Sequence, residues 1–341
     1  MPSSPASPLA PRAGETLLTG WGRTAPSTAT VERVTSVADV QEAVAKATSR
    51  GLLARGLGRS YGDAAQSGGA TVLDLAALAQ IDLDREAGTV TVGAGVSLDA
   101  LLKVIVPQGF FVPVTPGTRM VTVGGAIAAD VHGKNHHVEG TFGSHVSALT
   151  LIDGRGVEHR LGPEQEPEAF WATVGGMGLT GVMTEATFDL IPISSSLVSV
   201  DTDRTADLDD LMSRMLTGDD AYRYSVAWVD SAHPSGRGVL TRGDHATADA
   251  LPPKLRSEPL AYHPKVMATV PDIMPSGLVN PLTMRAFNEA WFRKAPKHRL
   301  AELQQIATFF HPLDVLQDWN RGYGPAGFLQ YRGYGPAGFL Q

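Results

Sequence analysis

Residues 54–63 of this chain read A-R-G-L-G-R-S-Y-G-D, and residues 116–133 read P-G-T-R-M-V-T-V-G-G-A-I-A-A-D-V-H-G. The glycines of the first segment permit backbone conformations that other residues avoid, so its amide groups can approach a ligand closely. Arg55 and Arg59 add positive charge to the same loop. Amides and cations in this combination suit a pyrophosphate. We therefore predict a pyrophosphate-binding loop at residues 54–63.

The second segment predicts a helix that begins at a ligand. We expect residues 121–123 to form a short strand, and the alanine-rich run from Gly124 and Gly125 onward to form a helix. The N-terminal amides and the dipole of such a helix attract a negatively charged group. Either loop alone also fits a tight turn between strands. The presence of both in one domain favours a nucleotide site.

The two commonest nucleotide-binding signatures are absent from both segments. No G-x-G-x-x-G run opens a helix with an acidic residue about 20 positions later, and no Walker A loop occurs. The predicted site is therefore of neither the Rossmann type nor the P-loop type.

The composition is that of a globular protein with room for two domains. The chain has 341 residues, of which 43% are hydrophobic, and its net charge is −7. This length predicts two domains. No basic tract is present, so nucleic acid is not expected as a partner. No apolar run approaches the roughly 20 residues that cross a bilayer, and proline and serine replace a signal-peptide core near the start.

Metal and thiol chemistry are not expected. The chain has no cysteine, which excludes disulfides, cysteine nucleophiles and iron–sulfur ligation. His132 and His136 have the spacing of one helix face and His137 follows them, but no third ligand of suitable spacing is apparent. We expect these histidines to line a ligand site, with no metal.

Hydrophobic periodicity divides the chain into segments. Residues 1–14, rich in serine, proline and alanine, are predicted to be a disordered leader. Residues 15–193 predict an α+β domain with helices at 37–47 and 98–106, strands at 71–75, 90–92 and 182–191, and a hairpin at 146–152 and 157–161. Residues 194–331 predict a second α+β domain with strands at 197–201, 222–230 and 238–242, a helix at 208–216, and an irregular proline-rich segment up to about residue 281.

The order of these motifs resembles the FAD-binding fold of the vanillyl-alcohol-oxidase type. Within that superfamily the chain is most similar to the decaprenylphosphoryl-ribose oxidases, the flavin subunits of an actinobacterial epimerase. Further matching segments extend from about residue 17 to Tyr331: T-G-W-G-R-T-A-P at 19–26, F-W-A-T-V-G-G at 170–176, L-R-S-E-P-L at 255–260, H-P-L-D at 311–314 and W-N-R at 319–321. The implied α+β fold has an FAD-binding domain at residues 15–193 and an incomplete antiparallel-sheet substrate domain at residues 194–331.

The resemblance implies FAD-dependent oxidation of the 2'-hydroxyl of decaprenylphosphoryl-β-D-ribose to a 2'-keto intermediate. A nicotinamide-dependent reductase subunit would complete the epimerisation, which supplies the arabinose donor for cell-wall arabinan. The polyprenyl-phosphate substrate implies a peripheral position at the plasma membrane in the cell envelope. The resemblance favours the periplasmic side, and the missing signal peptide leaves the cytoplasmic side as the alternative. Two other functions remain open: another FAD-dependent sugar-alcohol or aldonolactone oxidase, and an inactive fragment that only binds nucleotide or the partner subunit.

The resemblance also assigns the cofactor site. The implied residues are Ala54, Arg55, Gly56, Leu57, Gly58, Arg59, Ser60, Tyr61, Gly62 and Asp63 in the first loop, and Gly117, Thr118, Thr122, Val123, Gly124, Gly125, Ala129 and His132 in the second. Many members of the superfamily bind the flavin covalently through a histidine at the position of Arg59. Because this chain also lacks cysteine, non-covalent FAD is expected.

The implied catalytic residues are Tyr61 and His132, and the Tyr61 phenol is expected to bind a sugar hydroxyl or relay its proton. The implied substrate-binding residues are Lys134, Trp228, Phe309, Leu313 and Gln330, of which the lysine is expected to neutralise the phosphate. Each also has a plainer interpretation. The tyrosine would then pack on its own loop, the lysine and histidine would be solvated, and the aromatic residues would belong to the core.

The end of the chain departs from the family. Residues 321–330 recur unchanged at 332–341, and a decapeptide copied once is too short for a structural repeat. We interpret residues 332–341 as an artefact of frameshift, assembly or truncation. Relatives continue well beyond this point with a pocket lysine, and they carry a glutamine where this chain has Arg332. We therefore expect this chain to be less soluble, to bind FAD more weakly and to be less active than relatives that carry the C-terminal region.

Overall fold

The structure is a computed structural model that describes residues 11–23, 25–273 and 280–323. Its strands are β1 (Thr16–Leu18), β2 (Ser27–Arg33), β3 (Leu52–Arg55), β4 (Thr71–Asp74), β5 (Ile81–Asp84), β6 (Thr89–Gly93), β7 (Phe110–Phe111), β8 (Val146–Ile152), β9 (Glu158–Leu161), β10 (Val182–Asp189), β11 (Ile191–Pro192), β12 (Leu197–Thr205), β13 (Tyr224–Val229), β14 (Gly238–His245), β15 (Ala268–Thr269), β16 (His298–Gln305) and β17 (Leu316–Gln317). Its α-helices are α1 (Val37–Ala45), α2 (Leu98–Ile105), α3 (Val123–Ala128), α4 (His136–Glu139), α5 (Pro167–Thr173), α6 (Leu208–Gly218), α7 (Pro281–Lys294) and α8 (Ile306–Phe310).

A four-stranded sheet in the order β1-β2-β4-β3 carries the first glycine-rich loop. β2 and β3 both run parallel to β4, and α1 connects them. The helix begins at Ser36, whose hydroxyl accepts a hydrogen bond from the Asp39 amide while the Asp39 carboxylate accepts one from the Ser36 amide. This capping box stabilises the first turn. Because β3 ends at Arg55, the loop leaves the carboxyl end of a strand.

A five-stranded antiparallel sheet in the order β5-β6-β10-β8-β9 supports the second glycine-rich segment. The predicted hairpin is confirmed as β8 and β9. Its turn places Gly156 at φ +79°, and the Asp153 carboxylate accepts hydrogen bonds from the amides of Arg155 and Val157. The helix α3, which belongs to the second segment, packs against this sheet through contacts with β6 and β10.

The short strand predicted at residues 121–123 is wrong. Val123 is already the first residue of α3, and Thr122 forms only an isolated bridge with Ser97. The reason is local: the Thr122 hydroxyl accepts a hydrogen bond from the Gly125 amide at 3.1 Å and caps the helix. The predicted helix over Gly124 and Gly125 is confirmed.

A four-stranded antiparallel sheet in the order β13-β14-β12-β16 forms the C-terminal part. The elements β12, β13, β14 and α6 confirm predictions made from periodicity. By contrast, α7 and β16 lie outside the predicted elements, because β16 reads H-R-L-A-E-L-Q-Q without a regular apolar alternation. Within the described residues between β14 and α7, the predicted irregular segment contains only 3₁₀ turns and the short β15.

One hydrophobic cluster runs through both parts of the molecule. It includes Leu98 and Ile105 of α2, Val90 of β6, Val198 of β12 and Phe310 of α8, all of them buried. The core therefore crosses the predicted boundary after residue 193, and the division into two domains stays a prediction. Most of the predicted leader and the repeated decapeptide at 332–341 lie outside the described residues.

Buried polar contacts join the second glycine-rich segment to the H-P-L-D motif. Arg119 is only 1% exposed, and its backbone N–H donates to Asp314 Oδ2 at 2.8 Å. The Arg119 Nε also donates to Asp99 Oδ1 at 2.6 Å. The Thr115 hydroxyl and the His311 Nε2 lie 2.9 Å apart. These contacts fix the position of the C-terminal sheet relative to the glycine-rich segment.

Candidate active site

The two glycine-rich segments meet at a cleft of about 240 Å³. Residues of both segments line it: Ala54, Gly56, Leu57, Gly58, Arg59 and Ser60 from the first, and Thr122, Gly124, Gly125 and Ala129 from the second. The fold thus brings together the two loops that the sequence assigns to a single ligand.

A third wall of the cleft was not among the predicted site residues. It consists of Met177, Gly178, Gly181 and Met183, where the chain enters β10. The run G-G-M-G-L-T-G at residues 175–181 was the available signal, because Gly175, Gly178 and Gly181 adopt positive φ and let the backbone turn at the cleft. The remaining lining residues are small or apolar: Ala64, Ala65, Leu75, Ala94, Val121, Ala128 and Val131.

Two kinds of glycine shape the cleft. Some pack the loops together: a Cβ on Gly56 would lie 2.3 Å from the Thr122 Oγ1, and one on Gly124 would lie 2.9 Å from the Ala94 Cβ. Others face open space. A Cβ on Gly125 would have only the Thr122 hydroxyl nearby, at 3.0 Å, and one on Gly178 would have nothing within 4 Å. The backbone at these two positions is therefore open to a ligand in the cleft.

Arg59 supplies the cation of the cleft. Its guanidinium lies over the Trp21 ring, 3.9 Å from the centroid. Burial lowers the pKa of Arg59, and its Nε is buried with no hydrogen-bond partner among the described residues. A buried cationic donor without a partner is costly. An anion in the cleft, such as the pyrophosphate of FAD, would satisfy it, so the residues present fit this cofactor.

Arg55, the other arginine of the first loop, has a different position from Arg59. Its guanidinium donates to the carbonyl oxygens of Ala65 at 2.6 Å and Thr19 at 2.7 Å, which holds the loop in shape. Arg55 does not line the cleft. The same holds for Tyr61, Gly62, Asp63, Gly117, Thr118, Val123 and His132 of the predicted cofactor set.

Tyr61 lies beside an aromatic cluster next to the first loop. Its ring centroid is 6.5 Å from that of Trp319, which in turn meets Trp21 edge to face at 5.5 Å. The tyrosine is 45% exposed. A phenol is protonated at neutral pH, and desolvation raises the pKa of Tyr61 further, so the group can donate a hydrogen bond.

The loop after α3 connects the cleft to a second cavity. Val131 lines the cleft, and Lys134 lines the other cavity. The loop is tied on both sides: the Asn135 side chain donates to the Pro113 carbonyl at 2.7 Å, and the Ser225 amide donates to the Lys134 carbonyl at 2.7 Å. His132 follows Val131 in this loop, and its exposed ring has its centroid 5.7 Å from that of the His136 ring.

The second cavity, of about 440 Å³, lies on the C-terminal sheet. Four of the predicted substrate residues line it together: Lys134, Trp228, Phe309 and Leu313. The fifth, Gln330, lies outside the described residues. The lining also includes residues of α7 and β16 that the sequence did not indicate, among them Phe287, Trp291, Lys294, Arg299 and Glu302.

Lys134 is one of the cations that line this cavity. Its Nζ lies 5.9 Å from the centroid of the Phe309 ring. Desolvation lowers the pKa of Lys134 to about 8. Within residues 11–23, 25–273 and 280–323, no carboxylate forms an ion pair with it. A half-buried ammonium group without a counter-charge is suited to a phosphate group.

Comparison with known proteins identifies the family. Residues 28–162 match the FAD binding domain family. The chain is 46% identical over 324 residues to decaprenylphosphoryl-beta-D-ribose oxidase of Mycolicibacterium smegmatis, an alignment that covers 92% of this chain and 70% of the relative. This chain belongs to the decaprenylphosphoryl-β-D-ribose oxidase family. The predicted resemblance and the predicted class of FAD-dependent oxidoreductase are thereby confirmed, and so is the α+β FAD-binding fold.

More distant relatives share less of the chain. An uncharacterised protein of Streptomyces coelicolor, from the mprA 5' region, is 38% identical over 245 residues, which is 68% of this chain and 66% of that protein. Alditol oxidase of a Streptomyces species is 30% identical over 180 residues, or 52% of this chain and 42% of that enzyme. In the part of this chain that the structure describes, no helix has the length and apolar character needed to cross a bilayer.

Proposed function

We propose that this protein oxidises the 2'-hydroxyl of decaprenylphosphoryl-β-D-ribose to a ketone, with FAD as the hydride acceptor. One observation carries the proposal: a single short loop lines the flavin cleft with Val131 and the second cavity with Lys134. In a ribose that carries its phosphate on C1', the carbon with the 2'-hydroxyl is bonded directly to the phosphate-bearing carbon. A phosphate held by Lys134 would therefore keep the 2' position close to the flavin cleft.

The cleft residues would hold FAD as follows. Arg59 and the backbone amides of Gly56 and Gly58 would bind the pyrophosphate, and the open backbone at Gly125 would leave room for the ligand. When bound, FAD supplies the hydride-accepting chemistry that no side chain can provide. The protein would supply position and electrostatics.

The hydroxyl proton must leave as the carbonyl forms. We assign its acceptance to the His132 imidazole, which lies on the loop between Val131 and Lys134. Tyr61 would act as a donor toward the substrate oxygen, because a phenol is protonated at neutral pH. The hydride and the proton together account for the two hydrogens lost by the substrate.

We also propose that the flavin is bound without a covalent link. Arg59 occupies the position of the histidyl linkage in related flavoproteins, and the chain has no cysteine. Acid precipitation should therefore release all FAD into the supernatant. Yellow colour that stays with the precipitated protein would contradict this.

The substrate class supports a setting for the enzyme. A polyprenyl-phosphate sugar resides in a membrane, so we propose a peripheral position at the plasma membrane within the cell envelope. The 2'-keto product requires a reductant to become the arabinose epimer, and a nicotinamide-dependent reductase would supply that hydride. Binding of such a reductase to this protein can be tested by co-purification.

Anaerobic mixing of the FAD-loaded protein with candidate substrates tests the proposed activity. Decaprenylphosphoryl-β-D-ribose should bleach the visible flavin absorbance, whereas an alditol and arabinono-1,4-lactone should leave it unchanged. The alditol represents the activity named for the alditol oxidase of the Streptomyces species, and the lactone represents the activity named for another relative, D-arabinono-1,4-lactone oxidase of Eremothecium gossypii. Bleaching by either control and not by the ribose lipid would overturn the proposal.

A further inference from the structure

The helix α7 presents one face to the second cavity. Phe287, Trp291 and Lys294 all line that cavity, and their spacing of four and three residues puts them on the same side of the helix. Contacts with the sheet fix the helix in this orientation. The Asn288 side chain donates to Asp230 Oδ1 at 2.7 Å, and the Arg237 guanidinium donates to Glu289 at 2.6 Å.

The two aromatic rings of this face stack on one another. Their centroids are 6.0 Å apart and their planes differ by only 19°. Phe287 is 42% exposed and Trp291 is 37% exposed, so apolar area remains in contact with solvent at the cavity. Val226, Trp228 and Leu313 line the same cavity from the sheet side. The lining is thus mainly apolar and aromatic.

The charges in the cavity complement an amphipathic anion. Lys134 lines the cavity, and Lys294 lies on the α7 face with its Nζ 5.7 Å from the Trp291 ring. Neither ammonium group forms an ion pair with a carboxylate among the described residues. Arg299, in contrast, is already paired with Glu302 at 2.6 Å. Two free cations beside aromatic walls suit a phosphate attached to an apolar chain.

We propose that Phe287 and Trp291 form the subsite that binds the isoprenoid chain of the substrate and so determine its preference for a lipid. The inference rests on the proposed function in that a polyprenyl phosphate is taken as the ligand. In a polyprenyl phosphodiester the phosphate lies between sugar and chain. Lys134 lines the same cavity as the α7 face, and its loop reaches the flavin cleft at Val131, so the protein joins a flavin site, a cation and an apolar wall as the ligand joins sugar, phosphate and chain.

Calorimetric titration of the full chain with isoprenyl monophosphates of increasing length tests the subsite without any sugar or redox step. The probes are inorganic phosphate and geranyl, farnesyl and geranylgeranyl phosphate. For the unaltered protein, affinity should rise with chain length. In Phe287→Ser and Trp291→Ser, the gain from the longer chains should fall by about 10-fold, because each variant removes one large apolar side chain from the wall that contacts the chain.

A matched control lies on the same helix. Leu282 is 77% exposed and does not line the cavity, so Leu282→Ser should bind the isoprenyl phosphates like the unaltered protein. Phe287→Leu should recover most of the chain-length effect, which separates lost apolar contact from misfolding. Equal affinity for all chain lengths in the unaltered protein would overturn the subsite. An effect of Leu282→Ser as large as that of Trp291→Ser would also overturn it.

Other occupants of this face give distinct results. If a second copy of the chain covers it, the serine variants will dissociate a dimer in sedimentation experiments and leave isoprenyl binding unchanged, which contradicts the proposal. The subsite and the oxidase activity also fail separately. Chain-length-dependent binding without flavin bleaching by the ribose lipid would retain the subsite and reject the activity. Flavin bleaching by the ribose lipid without a chain-length effect on isoprenyl phosphate binding would retain the activity and reject the subsite.

Discussion

The backbone N–H of Arg119 donates to the Asp314 carboxylate at 2.8 Å across 195 positions of sequence, and the two side chains form a buried ion pair. The Thr118 hydroxyl donates to the other carboxylate oxygen at 2.6 Å. The P-G-T-R segment thus directs its polar groups toward the H-P-L-D motif. Thr118 lies outside the cleft lining, although the resemblance assigns it to FAD, because its side chain is bound to Asp314. Thr118 and Arg119 thus connect this segment to the H-P-L-D motif.

Asp314→Ala should destabilise the protein strongly. The change leaves the Arg119 guanidinium buried with Asp99 as its remaining ionic partner, and breaking a buried pair typically costs about 3–5 kcal/mol. Because one partner remains, we expect about 3 kcal/mol in urea unfolding. The control is Asp318→Asn, which removes a solvent-accessible pair with Arg321 at 3.2 Å and should cost under about 1 kcal/mol. Equal losses in the two variants would contradict the assigned role of Asp314.

Gly125→Val should weaken FAD binding while the fold is retained. The added Cβ meets only the Thr122 hydroxyl, so the branched side chain extends into the cleft and displaces the ligand. An overpacking cost of about 1–3 kcal/mol corresponds to roughly 10- to 100-fold lower affinity. Titration of the apoprotein with FAD, followed by flavin fluorescence, measures the change.

Gly154→Val is the matched control for that variant. Gly154 lies in the β8–β9 turn, and a Cβ there would have nothing within 4 Å. Its FAD affinity should equal that of the unaltered protein. Unchanged FAD occupancy in Gly125→Val would show that the cleft is not the cofactor site.

Much of the flavin cleft could be predicted from the sequence because it depends on local chemistry. Glycines and cations close together in one loop indicate an anion site whatever the surrounding fold, and Gly56, Gly58 and Arg59 do line the cleft. The third wall was missed because Met177 and Met183 have no signature of their own. Arg55 and Arg59 are indistinguishable in sequence. Only the fold shows that the first donates to carbonyl groups and the second faces the cleft.

The second cavity shows the opposite situation. Lys134, Trp228 and Phe309 are far apart in sequence and share no periodic pattern, so their assignment to one site depended on the family resemblance. A loop-to-strand contact brings the first two together: β13 carries Trp228, and its Ser225 amide donates to the Lys134 carbonyl at 2.7 Å. The short strand expected at residues 121–123 failed for a local reason, since the Thr122 cap outweighed the β propensity of two valines.

Lys134 should give the reaction a pH dependence. Its pKa of about 8 means that the ammonium form predominates at pH 7 and is lost as the pH rises through 8. The phosphodiester keeps its negative charge throughout this range, so kcat/KM should fall as the pH rises through 8. Lys134→Arg keeps the charge and should remove the fall near pH 8.

Lys134→Met tests the same assignment at constant pH. Loss of a charge-assisted contact of about 1.5–3 kcal/mol should lower kcat/KM at pH 7 by roughly 10- to 100-fold, mainly through KM. The falling limb near pH 8 should disappear with it. If this variant retains that limb, another group titrates there and Lys134 does not bind the phosphate.

The most direct test of the proposed reaction is a kinetic isotope effect on flavin reduction. Decaprenylphosphoryl-ribose with deuterium at C2' should bleach the flavin more slowly than the unlabelled lipid in anaerobic stopped-flow experiments, because the C2'–H bond breaks in the step observed. Deuterium at C3' should leave the rate unchanged. Equal rates for the unlabelled and the C2'-labelled lipid, together with slower bleaching from the C3'-labelled lipid, would contradict oxidation at the 2' position.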